Sequence, residues 1–369
     1  LKQPFELYQH LIVQIATPYA TGIGFFLKSE GLIITNEQIV RDNATVVIHN
    51  GSIPKQRAKV LFTNPKSDLA FLEGGQCSNC LDLEVCEDEV ADNQMVTALG
   101  QGKSGALVFA EGQFLDVNHV DQGVPFYKHS ALLNITHSGG PLLNAAEDLI
   151  GINAFHNRGG ETVAYCLPAS TILDDLEDFK EKRGEVATRC FECGILSHES
   201  DIQKQTCPQC KTAIFLPSDV EAYEPVGVAA TIENLLTEMG QNVEMARIGP
   251  NTWEIQEGSA LINITYYERT GLIMGDATLC SIPPEKAMAI HTKLLQLNYD
   301  LEGLTFSVKD QDIILSLLIY DRYLDERTGL KLLQHLFEQA DYYDNVLVSF
   351  INEKNEKSLS NCNHFDFSY

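Results

Sequence analysis

The sequence predicts a multidomain chain: an all-β antiparallel barrel region first, then a small four-cysteine metal module, then an α+β module. Three observations lead there. Short apolar/polar alternations separated by turn signals run through the first half. Two Cys-x₂-Cys pairs follow, at Cys190/Cys193 and Cys207/Cys210. Beyond Pro225, helical apolar spacing alternates with strand-like runs.

Within residues 5–72, Glu30-Gly31, Asn50-Gly51 and Asn64-Pro65 punctuate the runs. Ala44 to Asn50 and Ala58 to Phe62 read as a hairpin pair closing on Asn50-Gly51. Residues 74–94 form an acidic loop with Cys77, Cys80 and Cys86, read as free loop thiols because no fourth metal ligand is evident. Strands resume at Met95 to Gly100, Ala106 to Phe109, Gln113 to His119 and Ser130 to Asn134. Leu149 to Phe155 and Thr162 to Leu167 close the series, and Pro168-Ala169-Ser170 starts an acidic helix, Thr171 to Lys182.

A chain of 369 residues with 44% hydrophobic content is long enough for two or three cored domains. No run approaches the ~18–20 apolar residues that span a bilayer. Leu1 to Tyr8 lacks the basic end and apolar centre of a secretory signal. The net charge of −25 argues against nucleic acid or anionic membrane as partner. Metal-ligand spacing in four of the ten cysteines suits a reducing compartment, so the expectation is a cytoplasmic protein.

The stretch with most chemistry is Thr136-His137-Ser138-Gly139-Gly140-Pro141-Leu142, backed by Leu149 to Asn153. A serine before two glycines can present its hydroxyl on a tight turn, with backbone N–H groups facing a developing oxyanion. Ile34-Thr35-Asn36-Glu37-Gln38-Ile39-Val40 and Ser67-Asp68-Leu69-Ala70 precede it. Gln38 lies thirty residues before Asp68, and Asp68 seventy before Ser138. Together these segments resemble the trypsin-like serine proteases of the HtrA/Deg type over roughly the first 180 residues. The resemblance implies a trypsin-like double β-barrel over residues 1–185, with Ser138 as nucleophile and Asp68 as the triad acid. It also implies an oxyanion hole at Thr136 and Ser138, and a cleft edge at His156. The family's histidine position holds Gln38, and a neutral carboxamide cannot take a proton from serine at pH 7. Thr136 stands where the family has glycine. The expectation is therefore a protease fold with a degenerate triad.

Where that family often continues into a PDZ domain, this chain has Cys190-x₂-Cys193, thirteen intervening residues, and Cys207-x₂-Cys210. This is a zinc-ribbon pattern over residues 186–216, a closed four-thiolate site for one structural Zn²⁺ per chain. The third module spans 222–352. Its helix carries Ile232, Leu235, Leu236 and Met239 and stops at Gly240. Strands follow at Thr252 to Gln256, Ala260 to Tyr267 and Leu272 to Ile282. A helix opened by Pro283-Pro284 comes next, then strands around Phe306 and Ile313 to Tyr320, and a last helix from Asp325 to Ala340. The order α-βββ-α-ββ-α resembles the type III secretion chaperone-like fold, including YbjN-type proteins, which implies polypeptide binding and a possible homodimer. Residues 353–369 read as a mobile tail.

These readings combine into a non-catalytic protein that grips a protein or peptide client, the ribbon serving as a rigid spacer. The alternative is an active serine endopeptidase using Ser138 with a non-standard base, such as a held water or His156.

Overall fold

The computed structural model describes residues 5–75, 77, 80–86, 89–102, 106–131, 138–158, 161–182 and 184–352. The chain divides into two compact units. The first comprises the described residues of Leu1–Glu224 with Arg247–Pro250, and the second Pro225–Ala246 and the described residues from Asn251 on.

Two six-stranded barrels build most of the first unit. Strands β1 (Ile12–Ala16), β2 (Thr21–Leu27), β3 (Leu32–Thr35), β4 (Thr45–His49), β5 (Gln56–Asn64) and β6 (Leu69–Glu73) run in the order β5-β4-β1-β2-β3-β6. Pairing of β5 with β6 closes this barrel. Strands β7 (Met95–Gln101), β8 (Leu107–Asp121), β9 (Val124–His129), β10 (Pro141–Leu143), β11 (Leu149–Arg158) and β12 (Glu161–Pro168) form the second, in the order β10-β11-β12-β9-β8-β7. Closure pairs the end strands of each barrel, which is how antiparallel barrels limit exposed edges. Helix α1 (Phe5–Leu11) precedes the first barrel, and α2 (Glu37–Val40) follows β3. Helix α3 (Ala169–Lys180) buries Ile172, Leu176 and Phe179, the last with its ring 5.8 Å from that of Phe71. One core of buried residues draws on both barrels, including Phe25, Leu99, Ile152 and Leu167.

The expected hairpin is present: Thr45 faces Lys59 and Ile48 faces Gln56, while Asn50 Oδ1 accepts the N–H groups of Ser52 and Ile53 in the loop. Two strand expectations are corrected. Leu107 to Phe109 and Gln113 to His119 belong to one continuous strand, in which Gly112 leaves room for the Ala131 backbone. The strand expected from Ser130 lies earlier, at β9; Ser130 and Ala131 are outside any strand, and 132–134 lie outside the described residues.

The four-cysteine segment is joined to the first barrel. Strand β13 (Ala187–Arg189) runs parallel to β5, with Ala187 facing Phe62 and Thr188 facing Thr63, and β14 (Leu196–His198) pairs with β13. A buried hydrogen bond of 2.8 Å links the Thr63 and Thr188 hydroxyls. This pairing makes the segment part of the first unit.

The second unit has helix Gly227–Glu238, a short helix Val243–Ala246, and strands Thr252–Glu257, Ala260–Tyr267 and Leu272–Ser281. Helix Ala287–Asp300, strands Leu304–Lys309 and Asp312–Tyr320, and helix Glu326–Asn352 complete it. Asp310 and Gln311, both at positive φ, make the tight turn between the last two strands. The last helix runs to Asn352, well past Ala340, because Tyr343, Leu347 and Phe350 keep an apolar stripe on the same core. No helix among the described residues is long and apolar enough to cross a membrane. The expected tail, 353–369, lies outside the described residues.

Candidate functional site

The serine turn is wedged between the barrels. Gly139 has φ +93°, and a Cβ there would strike the Ile23 carbonyl oxygen of the first barrel. A Cβ on Gly140 would strike the Leu99 carbonyl oxygen of the second. Only glycine meets both demands at Gly139. Behind the turn, Gly139 N–H donates to Asn153 O at 2.9 Å and Asn153 N–H to Gly140 O at 2.8 Å. The Asn153 amide Nδ2 also donates to the carbonyls of Gly140 and Pro141, at 3.0 and 3.1 Å. Ser138 is thus buried on a doubly clamped loop.

The residues expected around it converge. Gln38, on α2, donates its backbone N–H to Asp68 Oδ1 at 2.8 Å and its Nε2 to Oδ2 at 2.9 Å. Asn36 occupies the N-cap position of α2 but does not cap it. Its Nδ2 donates to Asp68 O at 3.0 Å, and its Oδ1 accepts the Ser138 hydroxyl at 2.6 Å. Among the described residues, the hydrogen bond of that hydroxyl therefore goes to a carboxamide oxygen and not to an imidazole. Asp68 sits at φ +55°, and burial pushes its carboxyl up to about 7 despite the two N–H groups of Gln38. The carboxylate of Glu37, paired with Arg41 at 2.5 Å, adds to that upward shift.

Other expected positions are less informative. Thr136 and His137 lie outside the described residues. His156 lies on β11 opposite Val163, but its side chain is outside the described residues. His129, on β9 opposite Ala164, is buried, and desolvation pushes its imidazole down to about 4, so it is neutral at pH 7. Asn36 and Asn153 are the residues that sequence reasoning missed. A buried asparagine on a turn reads as a cap or a turn former, and only the fold reveals what its amide reaches.

Cys190, Cys193, Cys207 and Cys210 do come together: their four sulfur atoms lie within 4.8 Å of one another and could hold a metal ion. The pairs Cys190–Cys210 and Cys193–Cys207 are 3.5 and 3.7 Å apart. A tetrahedral ion with metal–sulfur bonds of ~2.3 Å would need sulfurs ~3.8 Å apart, so the donor set fits such an ion. The two knuckles repeat one backbone pattern. Cys190 N–H bonds Ile195 O and Gly194 N–H bonds Cys190 O; Cys207 N–H bonds Thr212 O and Lys211 N–H bonds Cys207 O. Gly194 and Lys211, each following a knuckle, have φ of +74° and +65°. Cys77 and Cys80, expected to be free, form a disulfide, and both are buried against the first barrel's core.

This double barrel, with a serine turn and a paired aspartate between its halves, has the architecture of a trypsin-like double β-barrel. Residues 22–152 match the family described as trypsin-like peptidase domain. More particularly, the chain is 29% identical over 177 residues to a probable periplasmic serine endoprotease DegP-like from Bartonella henselae, covering 45% of this chain and 34% of that protein. It is 29% identical over 163 residues to the protein of the same description from Pseudomonas fluorescens, covering 42% of this chain and 33% of that one. The chain thus spans about a third of the length of these curated relatives. Among solved structures, it is similar to the MamO protease domain from Magnetospirillum magneticum in its apo form, with TM-score 0.41 and 23% identity over 47% of this chain and 98% of that one. The serine endoprotease from Yersinia pestis gives TM-score 0.42 and 18% identity over 51% of this chain and 70% of that one. The relatives are named periplasmic, which overturns the cytoplasmic expectation drawn from cysteine spacing. That spacing was ambiguous in any case, since Cys77 and Cys80 share it and are oxidised.

Proposed function

We propose that this chain is a trypsin-like domain protein that holds polypeptide clients without cutting them. One observation carries the reading: the Gln38 carboxamide is bonded to Asp68, where the family's histidine belongs, and the Ser138 hydroxyl is committed to Asn36 Oδ1. A carboxamide oxygen is too weak a base to accept that proton at neutral pH. Loss of a triad member costs on the order of 10⁴–10⁶ in rate. The α+β unit, read as chaperone-like, would supply a second polypeptide-binding surface and a dimer contact. Zn²⁺ at the four cysteines would be structural, because a closed tetrahedral thiolate site leaves no position for water.

A second reading, an endopeptidase using Ser138 with another base, is supported by the relatives' being named probable serine endoproteases. A serine-directed fluorophosphonate separates the two. Ser138 should stay unlabelled over hours in the wild type, and rapid stoichiometric labelling would sink the non-cutting account. Elemental analysis should find one zinc per chain, lost in Cys193→Ser; a metal-free wild type would remove the zinc assignment. Sedimentation of the whole chain at micromolar concentration should give twice the 41.0 kDa chain mass, and a monomer would remove the dimer.

A further inference from the structure

The four-cysteine cluster and the candidate site are joined by a continuous set of polar contacts inside the first unit. Arg189 immediately precedes Cys190, and its NH1 donates to the carbonyl of Gly194, which closes that knuckle. Its Nε donates to Asp175 Oδ1 at 2.5 Å, and its NH2 to Asp178 Oδ2 at 2.5 Å. Asp175, 3% exposed on α3, uses its other oxygen to accept Asn64 Nδ2 at 2.8 Å. Asn64 ends β5, and its Oδ1 accepts the N–H of Ser67 at 3.3 Å. Asp68 follows, held at positive φ with its carboxylate on Gln38 and its carbonyl on Asn36, which in turn holds the Ser138 hydroxyl.

We propose that metal loading of Cys190, Cys193, Cys207 and Cys210 sets the position of the Asp68 turn, with Arg189, Asp175 and Asn64 as the positioning residues. The proposal rests on the reading that the cluster binds a metal, and it is independent of whether Ser138 cuts. Little apolar surface holds the knuckles: Cys190, Cys207 and Ile214 are their buried cluster. Metal binding therefore supplies much of the order there. Without the ion the Gly194 turn loosens, and Arg189 loses the carbonyl that aims its planar fork at Asp175. A buried carboxylate left without its cation is unfavourable where it stands, so Asp175 must take a proton or move. Either outcome changes what it offers Asn64, and Asn64 is what pins the N–H next to the strained Asp68. The parallel pairing of β13 with β5 ends at Thr188 and Thr63, one residue before Arg189 and Asn64, so both contacts begin from one fixed point of the sheet.

The test uses the full chain, zinc-loaded or stripped with a high-affinity chelator, with metal content measured in each sample. Amide hydrogen exchange is followed at Ser67 and Gln38, whose N–H groups are the ones bonded at the turn. Stripping should accelerate both by at least tenfold, while Ile34 and Phe71, in the adjoining strands, change less than twofold. Unchanged protection at Ser67 and Gln38 in verified metal-free protein would overturn the proposal. Loss of protection throughout the barrel would overturn it too, by showing general unfolding instead of a directed effect. Arg189→Gln should keep its zinc yet accelerate both amides, and Arg189→Lys should do so less. If Arg189→Gln retains zinc and wild-type protection, coupling does not run through this guanidinium and the proposal fails. Absence of bound zinc in the wild type would instead refute the metal reading itself.

Discussion

The two halves of the candidate site differ in what holds them. On the serine side, Ser138 stands on a turn fixed by sterics and backbone: Gly139 and Gly140 fit against carbonyls of both barrels, and Asn153 clamps the loop from behind. On the aspartate side, the contacts are made by side chains: Gln38, Asn36 and a buried Asp68 whose carboxylate, among the described residues, bonds the two N–H groups of Gln38. The first half is a scaffold that a residue change would break. The second tolerates exchange of one donor for another, provided something donates to Asp68. One site thus joins a half held by the backbone to a half held by side chains.

The largest expected effect tests the rigid half. Gly139→Ala places a methyl into the Ile23 carbonyl at φ +93°, and should cost about 4–5 kcal/mol in urea unfolding. A midpoint within error of wild type would mean the turn is not held as described. Next in size is the pH dependence of the other half. Asp68 titrates near 7 in the folded state against 3.8 without the fold. Between those values the native protein keeps a proton that the unfolded chain has released. This contribution is complete below pH ~4 and is lost as pH rises through 7, amounting to roughly 4 kcal/mol. Asp68→Asn should remove that contribution from the pH dependence, because a carboxamide does not titrate. A wild-type slope in the variant would place the titration elsewhere. Smaller again, Asn36→Ala should cost about 2 kcal/mol, leaving the Ser138 hydroxyl and the Asp68 carbonyl without their partner. An equal loss in Asn36→Asp, which retains an oxygen for Ser138, would assign the cost to the Asp68 contact alone.

Legibility followed the same division. Ser138-Gly139-Gly140 could be read because steric demands on a tight turn restrict residue type locally. Asp68 and Gln38 could be placed because the segments around them keep their order and spacing along the chain. Asn36, Asn153, Asn64, Asp175 and Arg189 could not, since each is a common residue whose partner is set by the tertiary fold; Asn64 and Asp175 are separated by 111 positions. Helix ends depend on tertiary packing as well. Tyr343, Leu347 and Phe350 extend the last helix because a core exists beneath them, and a polar stretch hides that stripe. The cysteines illustrate both cases. Two knuckles at matching spacing identified a cluster, whereas Cys77 and Cys80 alone did not distinguish free thiols from a disulfide.

Gln38→His has the smallest expected effect on stability and bears most directly on the difference between the halves. Gln38 is exposed, so exchanging its side chain should alter stability at pH 7 by less than about 1 kcal/mol. An imidazole there can donate one ring N–H to Asp68, as Nε2 of Gln38 does now, and it brings a positive charge when protonated. That charge favours the Asp68 carboxylate and draws its titration downward. Between pH 4 and 6 the imidazole is largely charged in both folded and unfolded chains, and the slope that buried His129 contributes is common to variant and wild type, so the difference between their slopes over that window reports Asp68. Stability should fall less, or rise more, with pH than in wild type, measured by urea unfolding at half-unit pH steps. An unchanged slope would mean that residue 38 does not govern the state of Asp68, and the aspartate side would then have to be as indifferent to its partner as the serine turn is to its base.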